Sequence, residues 1–275
     1  AAINVTEELR GVALKVPAAP IAYGLTDDAR LVTFKTATPT TLDANVAISG
    51  LASGERLLGI DIRPKDGLLY GMSSTGRIVT IDPATGAATA RATLAADPTD
   101  TTAPYTAITG TAFAVDFNPV ADRLRVIGNT GQSLRINVDT GATTTDGALN
   151  RAGLAPVVTA AAYTNSYAGT TATQLFDIDT ASASLALQNP PNDGALVNVG
   201  LLNVAVAGDA GFDIAGGANG LALAALRTTA SGPSALYRID LATGAAVLVN
   251  GAATPATSAI GAGAVGLTDL AIAIK

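Results

Sequence analysis

Three stretches of the chain, IDPATGA from Ile81, INVDTGA from Ile136 and IDLATGA from Ile239, are near-copies of one another. Two looser stretches, FKTATPT from Phe34 and IDTASAS from Ile178, align with them without gaps. The spacings are 47, 55, 42 and 61 residues, irregular through insertions but centred on the length of one small sheet. A motif that returns in this way requires stacked copies of one supersecondary unit, because a single copy cannot bury its apolar faces alone. An alternating apolar run precedes every copy (RLVTF, RIVTI, SLRI, QLFDI, ALYRI), and a second run rich in Thr, Ala, Leu or Val follows. Two strands joined through D-x-x-T-G form a hairpin: the aspartate caps the turn and the glycine takes the positive φ that other residues resist. Gly86, Gly141 and Gly244 are therefore expected at positive φ.

A second repeat lies upstream of each hairpin: GIDIRP from Gly59, AVDFNP from Ala114, AAYTN from Ala161, GFDIAG from Gly211 and LTDLAI from Leu267. Between the two repeats runs a further strand, as in GLLYGMSS, DRLRVIGN and GLALAALR, with IAYGLTDD on the N-terminal side. The unit is a four-stranded meander, and radial stacking of such sheets buries both faces of each. The run at 265–274 is a first strand with no hairpin after it, and the N-terminal region supplies only the other three, so the two ends complete one blade. The pattern predicts an all-β, single-domain, five-bladed propeller of antiparallel blades over residues 1–275. The blades fall near 265–275 with 20–50, 57–94, 112–149, 157–188 and 211–250, after an N-terminal extension 1–19. A sixth blade arises if 196–207 is more than a connection. A doubly wound α/β fold fails for want of a helical period of ten or more residues outside 5–15. Two long connections, 95–111 and 188–208, should emerge on one face and shape a ligand-binding mouth there.

Composition narrows the chemistry. Charged residues make up 14%, and no apolar run approaches the ~18 residues of a membrane span, so the reading is a soluble globular chain. A net charge of −6 argues against nucleic acid, whose binders need a basic face. There is no Cys and no His, which removes disulfides, thiol nucleophiles, Ser-His-Asp triads and the usual zinc sites together. The chain opens on Ala1-Ala2 without a basic-plus-apolar leader. With its Thr/Ala/Gly/Asp-rich composition this suggests an exported chain with its leader removed, in the periplasm or outside the cell.

The segments GIDIRP, GLLYGMSS and RIVTIDPATG resemble the NHL and YVTN-type propeller repeats of secreted bacterial proteins. AVDFNPVADRLRVIGNTGQSLRINVDTGA and GFDIAG resemble an uncharacterised bacterial family of exported propellers, a domain of unknown function, over roughly residues 18–275. That resemblance implies fold and export, and brings no catalytic residues with it.

Asp61, Asp116, Asp213 and Asp269 occupy one place in the expected innermost strand, and only the Ala161–Tyr163 blade lacks the aspartate. Four carboxylates near the axis suggest a hard-cation site, calcium for preference, or an acidic channel. The alternative is that each accepts backbone N–H groups of a neighbouring blade, or pairs with an arginine such as Arg63 or Arg125. A repeated residue at a repeated position favours that structural role. Asp82, Asp139, Asp179 and Asp240 read as turn formers; Asp177 with Asp179 reads either as a shared cation site or, more in keeping with alternate strand positions, as one turn cap beside one solvated carboxylate. Tyr23, Tyr70, Tyr163 and Tyr237 lie in strands and either line a sugar-binding surface or fill the gaps between blades. GAGAVG precedes a strand and is no phosphate loop, and Asn4-Val5-Thr6 is a chance sequon.

Three functional readings follow. The first is a non-catalytic exported binding or scaffold module, with no cofactor and with a protein or glycan partner. The second is an Asp-dependent glycoside hydrolase or lyase. The third is a cation-stabilised structural or adhesive propeller. Scarce Glu and absent His and Trp weigh against the second.

Overall fold

The computed structural model describes residues 20–217 and 220–273. The segment 5–15 and the sequon at Asn4 lie outside the described residues. Five antiparallel sheets are arranged as the blades of a propeller. From axis to rim, blade one is Leu267–Ala273, Ile21–Thr26, Arg30–Lys35 and Leu42–Ala47. Blade two is Leu57–Ile62, Leu69–Ser73, Arg77–Ile81 and Ala88–Thr93. Blade three is Phe113–Asn118, Arg123–Gly128, Ser133–Ile136 and Ala142–Thr145, and blade five Gly211–Ala215, Leu221–Leu226, Ala235–Ile239 and Ala246–Leu248. No helix among the described residues is long and apolar enough to cross a membrane.

The two ends meet as the repeat pattern requires. Ala273 pairs with Ile21, Ile272 with Ala22 and Ala271 with Tyr23, so the last strand is the innermost strand of the first blade.

Blade four corrects the expected boundaries. It runs from Val158–Tyr163 through Leu175–Asp179 and Ser184–Gln188 to Leu196–Leu201, so its outermost strand lies inside the stretch read as a connection. There is accordingly no sixth blade. The Ile178 motif joins the second and third strands here, whereas its counterparts join the third and fourth. Both turns of a meander accept an Asp–Thr cap, so the motif by itself does not say which hairpin it closes.

The chain leaving a rim strand runs on as a strap over the next blade. Ser49 N–H bonds Gly86 O and Ala88 N–H bonds Ser49 O; Ala95 N–H bonds Gly141 O; Leu196 N–H bonds Asn150 O; Ala246 N–H bonds Leu202 O. Residues Ala95–Ala96 of the expected loop are therefore a short parallel fifth strand on blade three. The strap explains why the turn motif ends in glycine. Gly141 has φ +81, and a Cβ there would lie 2.0 Å from Thr93 O of the preceding blade. Gly86 and Gly244 repeat the arrangement at φ +73 and +80.

Apolar side chains fill the seams between blades. Leu58, Tyr70 and Met72 of blade two pack on Phe113, Val115 and Phe117 of blade three, with the Tyr70 and Phe117 rings edge to face at 5.4 Å. Burying each such side chain contributes about 2–3 kcal/mol, which makes the seams the main source of stability.

Candidate functional site at the ring axis

Each innermost strand lines the axis, so a residue repeated at one place in the strand recurs around the ring. Asp61 Oδ2 accepts the N–H of Phe117 in the next blade at 2.7 Å. Asp116 Oδ1 accepts that of Tyr163 at 3.0 Å, Asp213 Oδ2 that of Ile272 at 2.5 Å, and Asp269 Oδ2 that of Ile60 at 2.9 Å. Four aspartates thus hook four successive seams. Blade four has no aspartate in its innermost strand and turns Ala160 and Ala162 toward blade five, and no such hook passes between them among the described residues. The partners are backbone groups throughout. Arg63 and Arg125 do not touch the axial aspartates: Arg63 bonds Asp122, Asp139, Asp66 and Tyr70, while Arg125 bonds Tyr163, Ser133, Asp146 and Asn192.

Three of the four carboxylates also converge. One oxygen each of Asp61, Asp116 and Asp213 lies within 4.8 Å of the others, and all three residues are buried. Asp269 is not in this group; its oxygens are taken by the N–H groups of Ile60 and Leu270. Burial pushes Asp61 well above the usual carboxylate range, with the Asp213 charge adding to it, and two backbone donors pulling back. Asp116 is raised by burial and then by Asp61 and Asp213. Burial lifts Asp213 to about 7 and raises Asp269 strongly. The cause is general: charged carboxylates that are buried and close together are unfavourable, so they hold protons unless a cation joins them. Asp61 Oδ1 also accepts the N–H of Ile62, so both Asp61 oxygens, like those of Asp269, already hold a backbone donor.

Asp61 and Asp213 form part of the wall of a cavity of about 450 Å³. Ile62, Ala215 and Ala273, at the C-terminal ends of innermost strands, also line it, so it opens on the face carrying the first turn of each blade. The long connections 95–111 and 202–210 enter the N-terminal ends of innermost strands, on the opposite face. The mouth expected from those connections is therefore not the one that holds this cavity. Tyr23, Pro64 and Pro83 form walls, with Tyr167 from blade four. Tyr167 sits on the connection 164–174, eleven residues where blades two, three and five use only 63–68, 119–122 and 216–220. Ser166 of that loop bridges to Ala215 and Gly216, tying the loop to blade five. Arg63 also lines the mouth, but its guanidinium is forked onto both Asp122 and Asp139 and is 4% exposed.

A family model described as a domain of unknown function (DUF4394) matches residues 30–261. The chain belongs to the DUF4394 family. Among solved structures it is similar to a chain of a nidogen/laminin complex, with 12% identity, a TM-score of 0.49 and coverage of 93% of this chain and 98% of that one. It is also similar to a protein of unknown function from Bacteroides thetaiotaomicron, with 14% identity, a TM-score of 0.48 and coverage of 87% and 60%. A third is a putative 6-phosphogluconolactonase from Bacteroides fragilis, with 16% identity, a TM-score of 0.41 and coverage of 93% and 71%. Likenesses this distant carry no argument about activity. A search of curated protein sequences returns no significant match.

The other singled-out residues of this DUF4394 propeller take structural places. Asp82 and Asp240 cap their turns through Ala84 and Ala242 N–H groups. Asp139 does not: Asn137 caps that turn, and Asp139 is one arm of the Arg63 fork. Asp179 accepts from Val157, Ala181, Ser182 and Arg151. Asp177 is not solvated as expected; it is fully buried, neither oxygen has a partner, and burial pushes it up to about 8 against the pull of Arg125. Tyr70, Tyr163 and Tyr237 are buried, and only Tyr23 of the four strand tyrosines lines the mouth. Tyr167 was not among the candidates. The signal that marks it is the length and turn-forming content of TNSYAGTTATQ, from Thr164, beside RPKDG and NPVAD in its neighbours.

Proposed function

We propose that this DUF4394 propeller is a non-catalytic binding module that seats its ligand in the axial mouth and works outside the cytoplasm, on the cell envelope or beyond it. One observation carries the reading: the blade that departs from the repeat sends an elongated, tyrosine-bearing loop over a cavity of about 450 Å³. Concave sites of this size with a few polar groups among apolar walls are the usual form of small-ligand sites. The test compares wild type and Tyr167→Ala as bait against envelope extract from the source cells. A component retained by the wild type and lost by the variant supports the reading; identical retention, or none, sinks it.

The convergence of Asp61, Asp116 and Asp213 favours a second reading, a ring stabilised by a hard cation such as calcium. A ligand bound only by the folded state raises its melting temperature with concentration. Chelator should then lower the melting temperature and added calcium restore it; chelator-insensitive melting counts against it. A glycosidase is not argued further. Its two carboxyl groups must be free to act as acid and as base or nucleophile, whereas these carboxylates are buried and hold backbone N–H groups of neighbouring blades.

A further inference from the structure

The ligand class of the axial mouth follows from which of its polar groups are free to bind. This rests on the binding-module reading. The carboxylate pair Asp61 and Asp213 is 3% exposed at each residue and faces the cavity. Behind it, Asp116 is 4% exposed and belongs to the converging set, with its Oδ1 accepting the Tyr163 N–H. Three buried carboxylates brought this close are costly when charged, and a group that brings donors and positive charge relieves that cost. The one cation lining the mouth among the described residues is Arg63, and all three of its nitrogens are already bound to aspartates. The mouth therefore offers carboxyl groups and no uncommitted cation, which disfavours phosphate and carboxylate ligands. Its walls include the rings of Tyr23 and Tyr167, whose faces favour cations, and the apolar surfaces of Pro64 and Pro83.

We infer that the axial mouth binds an ammonium group on an apolar stem, its head at Asp61 and Asp213 and its stem beside Tyr23 and Tyr167. Two sources share that chemistry: a free aliphatic amine and a lysine side chain of a protein partner. A stem is required because a bare ion would leave the tyrosine and proline walls unused.

The experiment is calorimetric titration of the full chain with four probes: putrescine for a free amine, N-acetyl-lysine amide for a protein lysine, calcium chloride, and glucose as neutral control. At least one amine is expected to bind. Tyr167→Ala should weaken it by about tenfold with an unchanged melting temperature. Asp213→Asn should weaken it further. Putrescine alone binding assigns the site to free amines; tighter binding of the lysine amide assigns it to a protein partner. Amine binding that is equal in wild type and both variants overturns the inference, because the amine is then elsewhere. Calcium binding without amine binding overturns it in favour of a metal centre. Glucose binding alone, lost in Tyr167→Ala, overturns the cationic class and leaves the binding module standing. No binding by any probe also overturns it.

Discussion

Blades two and four have the same four strands and opposite characters. Blade two keeps the repeat at every position: Asp61 hooks blade three, Asp82 caps the outer turn, and Gly86 receives the strap of blade one. Blade four has alanine at the hook position, moves its Asp–Thr turn one hairpin inward, buries Asp177 without a partner, and extends its first connection over the mouth. The difference separates two kinds of residue. Positions that recur hold the ring together, and the blade released from recurrence carries the loop that walls the axial cavity.

The comparison breaks most severely at the closure. Deleting 265–275 removes the innermost strand of blade one, together with Asp269 and its hook to Ile60. Two sheet edges are then unpaired. Calorimetry should show loss of the cooperative transition or aggregation. A truncated chain that melts like the full one would refute the closed ring. Excising 167–170 from blade four should by contrast leave the transition within a few degrees of wild type.

Next in size is Gly141→Ala. A glycine at positive φ costs about 1 kcal/mol when replaced by alanine, and the added Cβ here also meets Thr93 O. The expected loss is about 2–4 kcal/mol in urea unfolding. Gly54→Ala, also at positive φ but with nothing within 4 Å, should lose only about 1 kcal/mol. Equal losses at the two sites would remove the strap from the explanation.

Asp177→Leu should change stability in the opposite direction. Its carboxyl group is buried with both oxygens unpartnered, so an apolar side chain of similar size is expected to stabilise by about 1–3 kcal/mol. The pH profile gives an independent check. Asp177 and Asp213 titrate near 8 and 7 in the folded chain, above an unfolded carboxylate at about 4. Their contribution is fully present below pH 4 and is lost as pH rises through 7 and 8, because the folded state binds more protons than the unfolded state. Metal-free protein should therefore melt lower at pH 8.5 than at pH 5.5, and Asp177→Leu should reduce that slope. A melting temperature that rises across this range would contradict the buried, partnerless carboxyl group. The smallest stability effect belongs to Tyr167→Ala: melting unchanged, ligand retention lost.

The repeat made the blade number, the closing strand and the positive φ at Gly86, Gly141 and Gly244 legible, because each depends on short-range turn chemistry and alternation. It also located the axial aspartates, since equivalent strand positions become neighbours around an axis. What sequence could not supply was long-range direction. Nothing in GIDIRP states that Asp61 reaches forward to Phe117 instead of to Arg63, or that Arg63 spans to Asp122 and Asp139. The fourth strand of blade four escaped because Leu196–Leu201 lacks the turn motif that announces the others. Asp177 was misplaced because alternation along a strand says which face a side chain occupies, not whether another blade covers that face.

The missing hook leaves the seam between blades four and five unlike its neighbours. It is held by a rim strap, by the Ser166 bridge to Ala215 and Gly216, and by a large apolar cluster including Phe176, Leu185, Phe212, Ile214 and Tyr237. Apolar attraction weakens on cooling, whereas seams that also carry axial hydrogen bonds retain a fastening of another kind. The ring accordingly has a thermal asymmetry. As temperature falls this seam loses most of its advantage first, and the earliest cold opening separates blade four from blade five beside the axial cavity.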